Sequence, residues 1–206
     1  WFLPPYRDAP TVAAIGTGPG ALALLAAHIM PKPKILAIAK DTAAAEAASR
    51  NFTASPWADR LTTVNADFVD FAAEGNHKFN LVISNPPYFT TGAQATDAAR
   101  AAARHQDTLS YDTILTANIL EPGGNLGLVS PAEFEHDIIY RAELSHLKLR
   151  RLCRVVTSHG KQPTRLLWDF ATKEGPLTDT TLAMRDTDGR YSPEYRQIVE
   201  PFYLKL

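Results

Sequence analysis

The sequence predicts an α/β fold, with a mostly parallel sheet, helices on both faces and an antiparallel C-terminal edge. Three observations predict it. Short apolar runs alternate with helix-like stretches through the first half of the chain. Those runs are nearly continuous rather than alternating, as strands covered on both faces require. After Leu147, three strand-like segments follow one another with no helical pattern between them. With 206 residues, 45% hydrophobic and 21% charged, the chain can bury one sizeable core, and residues 1–206 read as a single domain.

The elements follow in order. Thr11 to Ile15 is a short apolar strand, GTGPG a turn, and ALALLAAHIM a helix rich in alanine and leucine. Ile35 to Ala39 is a second buried strand, and Asp41 opens an alanine-rich helix to Asn51. Leu61 to Val64 makes a third strand, Asp67 to Ala73 a short helix, and Phe79 to Ser84 a fourth strand. Phe89 to Gln106 reads as a mobile, lid-like loop running into a weak helix. Ser110 to Leu120 is an amphipathic helix, and a Pro122–Gly123–Gly124 turn delivers a fifth strand, Leu126 to Val129. Ser130, Pro131 and Glu133 fit an N-cap, an N1 proline and a capping-box glutamate for a helix reaching Leu147. RLCRVV, RLLWDFAT and TLAMRD are the three closing strands, and Ser192–Pro193 caps a last helix.

No apolar stretch approaches the roughly 20 residues that a bilayer span takes, and no charged-then-apolar leader opens the chain. We therefore expect a soluble protein with no membrane partner; a cytoplasmic location and no metal are further expectations, and the oligomeric state is left open with a monomer favoured. Cys153 is the only cysteine, which excludes an intramolecular disulfide; within RLCRVV it reads as core filling. The chain opens at Trp1, and WFLPPYRDAP has no periodic pattern, so upstream residues are expected to be missing.

Asn85, Pro86, Pro87 and Tyr88 close the fourth strand, which puts them in the crevice where open α/β sheets bind ligands. The Asn85 side chain offers a carbonyl acceptor, and a proline-constrained backbone turns a second carbonyl toward the same point. Two acceptors converging on one NH2, with the Tyr88 ring as a stacking face, suit capture of a planar, amine-bearing base. Stacking of that kind is worth roughly 1–3 kcal/mol. Read alone, the tetrapeptide is equally a proline-rich turn. Upstream, Gly16, Thr17, Gly18 and Gly20 lie between the first strand and first helix, the place of a nucleotide-binding turn. The spelling fits a dinucleotide fingerprint too, with Asp41 about 20 residues on, so the loop alone does not separate NAD from S-adenosylmethionine. Amine methylation, unlike hydride transfer, uses the downstream tetrapeptide. It also gives Asp67 a role, as acceptor for the exocyclic amine of the cofactor's adenine; the plainer role of Asp67 is a helix cap.

With the glycine loop, ASPWADRL, NAD, ISNPPYF, ARH, EPGGNLGLVSP, YSPEY and FYLKL in place, the chain resembles the bacterial adenine-N6 methyltransferases that modify valine tRNA beside the anticodon. The resemblance extends over most of the chain and implies a Rossmann-like class I methyltransferase that uses S-adenosylmethionine on tRNA. It assigns Gly16, Thr17, Gly18 and Gly20 to the methionine moiety, Asp67 to the adenine, and Asn85 to Tyr88 to the target base. Two positions depart from the family. Ala14 replaces an acid before Ile15–Gly16, and Ala39 followed by Lys40 stands where relatives place a ribose-binding carboxylate, leaving Asp41 to reach back. A lost charge-assisted hydrogen bond typically costs about 1.5–3 kcal/mol, or tenfold to a hundredfold in affinity. The alternatives are a glutamine-N5 or other amino-methyltransferase sharing the tetrapeptide, a DNA adenine methyltransferase, and an RNA-binding relic with weakened cofactor binding.

A net charge of −1 conceals an uneven distribution. Between Glu143 and Asp169 there are no acids, while Lys148, Arg150, Arg151, Arg154, Lys161 and Arg165 stand there, a pattern that suits a phosphate backbone or equally a guarded sheet edge. Strand alternation favours Arg150 and Arg154 as RNA contacts, with Lys148 in the same row. Arg100 and Arg104 are the other candidate RNA contacts.

Overall fold

A computed structural model describes residues 1–86 and 109–202. The expected lid, together with Pro87, Tyr88, Arg100 and Arg104, lies outside the described residues. Eight strands form one sheet in the order β3-β2-β1-β4-β5-β7-β6-β8. They are β1 (Thr11–Ile15), β2 (Lys34–Ala39), β3 (Leu61–Asn65), β4 (Phe79–Ser84), β5 (Leu120–Pro131), β6 (Lys148–Ser158), β7 (Pro163–Ala171) and β8 (Thr178–Arg185). The described helices are α1 (Ala21–Ile29), α2 (Thr42–Thr53), α3 (Phe68–Ala73), α4 (Tyr111–Thr116), α5 (Glu135–Leu144) and α6 (Pro193–Val199).

The first five strands in this order pair in parallel, and their buried runs explain why the sequence shows no alternation: Val12 to Ile15 are all at 0% exposure. One face is covered by α1 and α2, whose Ala23, Ala26, Ala27, Ala48 and Phe52 pack with Val12, Ile35 and Leu81. The other is covered by α3, α4 and α5 through Phe68, Phe71, Ile114, Leu115, Ile138 and Ala142. Small alanines let α1 approach the sheet closely, while aromatic and branched residues fill the opposite layer. Cys153 is buried, as its context predicts, and burial pushes its thiol pKa up.

Four expectations change. The helix from Ser110 ends at Thr116, because Ala117 turns extended and the Ile119 carbonyl accepts from Phe79 N–H. Leu120 to Gly124 belong to β5 rather than to a turn: the register slips between Phe79 and Leu81, which accommodates Pro122 and places Gly124 too close to backbone for a side chain. Ser130 does not cap a helix. It is fully buried in β5, where its Oγ accepts from Trp168 Nε1 at 2.9 Å, and the buried indole's need for a partner outweighs the cap; a 3₁₀ turn at Ala132–Phe134 leads into α5 instead. Finally, β7 is antiparallel to both β5 and β6, but β8 lies parallel to β6 at the far edge. The Ser192 cap is formed as expected, accepting from Tyr195 N–H at 3.1 Å.

The N-terminal residues are anchored to the antiparallel half. Arg151 donates to the carbonyls of Trp1 and Phe2, stacks over the Trp1 ring at 4.2 Å, and reaches Asp169 at 3.5 Å. Asp169 is 0% exposed and also accepts from Tyr6 Oη at 2.5 Å and Asn125 Nδ2 at 3.2 Å. Burial pushes its carboxyl pKa up even so.

Candidate functional site

Between β1 and β4 the strand order reverses, and the crevice outside the carboxyl ends at such a switch point is where open α/β sheets hold ligands. Two loops leave there, the glycine loop after β1 and Asn85 after β4. Ile15 pairs with Ser84, and the buried Ser84 hydroxyl donates to the Ile15 carbonyl at 3.0 Å. The residues just before Gly16 and just before Asn85 are thus bonded to each other.

Gly16, Gly18 and Gly20 all have positive φ, at 64°, 54° and 94°. At Gly20 a Cβ would also fall 2.5 Å from the Phe52 ring, so φ and contact both exclude a side chain, whereas Gly18 faces open space. Helix α2 supports the turn: Asn51 Nδ2 donates to the Pro19 carbonyl at 2.8 Å, and Phe52 packs under Gly20. Thr17 is 5% exposed, and its Oγ1 has no hydrogen-bond partner among the described residues. A buried hydroxyl left unpaired costs about 1–3 kcal/mol, so a ligand that accepts from it recovers free energy.

Asp41 caps α2, accepting from Ala44 N–H at 2.7 Å. Asp67 caps α3 through Oδ1, accepting from Val69 N–H at 2.7 Å, while its Oδ2 meets Lys40 Nζ at 2.9 Å. The Lys40 contact first, and the Val69 amide second, hold the Asp67 carboxyl below the usual aspartate range. Asn65 ties the neighbouring strand ends together by donating to the carbonyls of Ala39 and Lys40 at 2.9 and 2.8 Å. Ala14 and Ala39 are 0% and 4% exposed. Asn85 is exposed and Pro86 buried. An apolar cavity of about 370 Å³ opens beside Asn85, with Trp1, Leu22, Ile83, Leu128 and Phe202 in its wall.

The basic block divides. A bulge at Arg150 breaks the expected row, because Lys148 pairs with Ala171 and Arg151 with Asp169; Lys148 therefore shares a face with Arg151 and Cys153 rather than with Arg154. Lys148 meets Glu174 at 3.2 Å, and Arg150 donates to the carbonyls of Lys173, Glu174 and Pro176. Arg154 forms a two-pronged pair with Glu135 at 2.8 and 2.6 Å and also reaches Asp179 at 3.3 Å. All three are engaged within the protein.

Sequence reasoning missed the support for the site. Nothing in the sequence marks Ser84 beyond its adjacency to Asn85, and Asn51 and Phe52 look like ordinary helix residues. The Lys40–Asp67 pair had one signal, a cation breaking the apolar run of a strand end.

Residues 3–149 match the model of the methyltransferase small domain. The chain is 39% identical over 199 residues to the tRNA1(Val) (adenine(37)-N6)-methyltransferase of Porphyromonas gingivalis, covering 92% of this chain and 78% of that protein. It is 39% identical over 210 residues to the protein of the same name from Vibrio parahaemolyticus, covering 100% of this chain and 87% of that one. Among solved structures, a predicted O-methyltransferase from Agrobacterium tumefaciens superposes with a TM-score of 0.71 at 20% identity, over 93% of this chain and 88% of that chain, which speaks to the fold. The chain belongs to the methyltransferase small-domain family and, within it, groups with the tRNA1(Val) (adenine(37)-N6)-methyltransferases.

Proposed function

We propose that this protein transfers the methyl group of S-adenosylmethionine to an adenine N6 amine in tRNA, beside the anticodon of valine tRNA. The observation that carries the reading is the Ser84–Ile15 hydrogen bond, which launches a nucleotide-type loop and an amine acceptor from one bonded pair of strand ends. The residues fit the cofactor. The unpartnered Thr17 hydroxyl and the open space over Gly18 suit its amino-acid end, and Asp67 suits the adenine amine.

When bound, S-adenosylmethionine supplies an electrophilic methyl on a sulfonium. The Asn85 side-chain carbonyl and the Pro86 carbonyl accept from the N6 amine, keeping its lone pair directed at that methyl, while Tyr88 gives the base a stacking face. Transfer would form the N6–CH3 bond as the methyl–sulfur bond breaks, with the bonding pair left on sulfur and the N6 proton lost to solvent. Proximity, orientation and fixed dipoles carry the rate, with no general base. An amine inside a base stack is unreachable, so the target adenine is unpaired or flipped out, which favours an RNA loop.

Incubation with labelled S-adenosylmethionine and separate pools of tRNA, ribosomal RNA and protein tests the proposal. Label is expected in tRNA, as N6-methyladenine on nucleoside digestion. Label on a protein glutamine would establish the amide-methylating alternative, and no label with measurable cofactor binding would establish the relic.

A further inference from the structure

We infer that the RNA backbone is held at the turn joining β6 to β7, by Lys161 and Arg165 with the polar residues around them; the inference rests on the tRNA reading above. Strand β5 is parallel to β4, β7 opposes β5, and β6 opposes β7, so the carboxyl end of β6 rises on the same rim of the sheet as Asn85. Lys148 and Arg150 begin β6 on the amino side of that rim: through Ala171 and Asn125, Lys148 is level with Leu81, three residues short of Ser84, and both cations are engaged with Glu174 and the carbonyls around it.

Register places Arg165, at the start of β7, close to the site. Ser84 is level with Leu128, and β5 runs three residues further to Pro131, which pairs with Arg165. Two strand spacings and three residues put Arg165 about 14 Å from Ser84. A loop presenting one base to Asn85 lays its neighbouring phosphates across this stretch. Thr157, His159, Lys161, Gln162, Thr164 and Arg165 are all exposed there, and Gly160, at φ 77°, makes the turn tight. None of them is acidic, and no described carboxylate pairs with Lys161; Asp186 approaches only His159, at 3.3 Å. Ammonium, guanidinium, hydroxyl and amide donors in one short exposed segment are what phosphate oxygens accept from.

The test is tRNA binding by the full chain as a function of salt, for wild type, Lys161→Glu/Arg165→Glu and Lys148→Glu. The double variant is expected to flatten the log–log slope by about 1.4–1.8, from 0.7–0.9 per lost phosphate contact, with S-adenosylmethionine affinity unchanged. Lys148→Glu is expected to keep the wild-type slope. Lys161→Gln, which removes one exposed charge, should give about half the change and serves if the double variant folds poorly. An unchanged slope in both rim variants, or an equal loss in Lys148→Glu, overturns the inference. A wild type that neither binds nor methylates tRNA overturns the underlying reading instead.

Discussion

Lys40 Nζ stands 2.9 Å from Asp67 Oδ2 at the ends of β2 and β3, and the other Asp67 oxygen caps α3. Both oxygens are therefore occupied, and an adenine amine seeking this carboxylate must share it with the lysine or displace it.

Lys40→Met is accordingly expected to bind S-adenosylmethionine more tightly, by up to about fivefold, the worth of a part-exposed ion pair after solvent screening. The wild type should also gain affinity as salt weakens the pair, whereas the variant should not. Calorimetric titration at several ionic strengths checks this, and equal affinities throughout would leave Asp67 outside the adenine site.

Asn85→Ala is expected to lower kcat at least about 100-fold, the usual scale for one group aimed at the transition state, with cofactor affinity nearly unchanged. Single-turnover methylation beside a cofactor titration reads both. A variant with wild-type kcat would remove Asn85 from the chemistry.

Gly20→Ala forces a side chain into a residue with φ 94° and onto the Phe52 ring. A loss on the order of 1–3 kcal/mol is expected from the backbone alone. The urea midpoint measures it, and Phe52→Leu in the same chain should recover the part that is contact.

The Arg154 hydrogen bonds hold Glu135 below its ordinary value of 4.5. A carboxyl depressed in the folded state adds stability above its unfolded pKa and loses it as pH falls through the folded one. Arg154→Gln is therefore expected to be about 1–3 kcal/mol less stable at neutral pH and to converge with wild type on acidification below pH 4.5. Parallel acid unfolding curves would contradict the pairing.

For the buried Asp169 the sign is opposite. Burial raises its pKa, so the cost of carrying its charge is absent at low pH and grows as pH rises through the folded value. Tyr6→Phe deletes the 2.5 Å donor that supports the charged form. Destabilisation of about 1–3 kcal/mol is expected at neutral pH, shrinking toward low pH, which thermal unfolding across pH would register.

Much of this molecule was written in local order. Continuous apolar runs such as FNLVIS suit strands buried on both faces, and β4 spans Phe79–Ser84 as they imply. The glycines marked a tight turn after the first strand, and the turn is there, with positive φ at Gly16, Gly18 and Gly20. Asp41, Asp67 and Ser192 cap helices because a short side chain reaching its own next turn is a local matter. Ser130 looked identical and failed, since Trp168, 38 residues away, needed its oxygen more.

The sequence by itself determined the strand and helix types, the glycine turn, and the presence of Asn85 at a strand end. Only the tertiary structure decided what stands beside what: that Ser84 bonds to Ile15, that Lys40 sits on Asp67, and that Arg154 is paired with Glu135. It also decided that the basic block divides between paired cations along β6 and exposed ones at the turn into β7. The physical reason is range. Backbone propensity, capping and turn geometry are settled within a few residues, whereas ion pairs and hydrogen bonds between strand ends depend on sheet order and register, which come from packing the whole core at once.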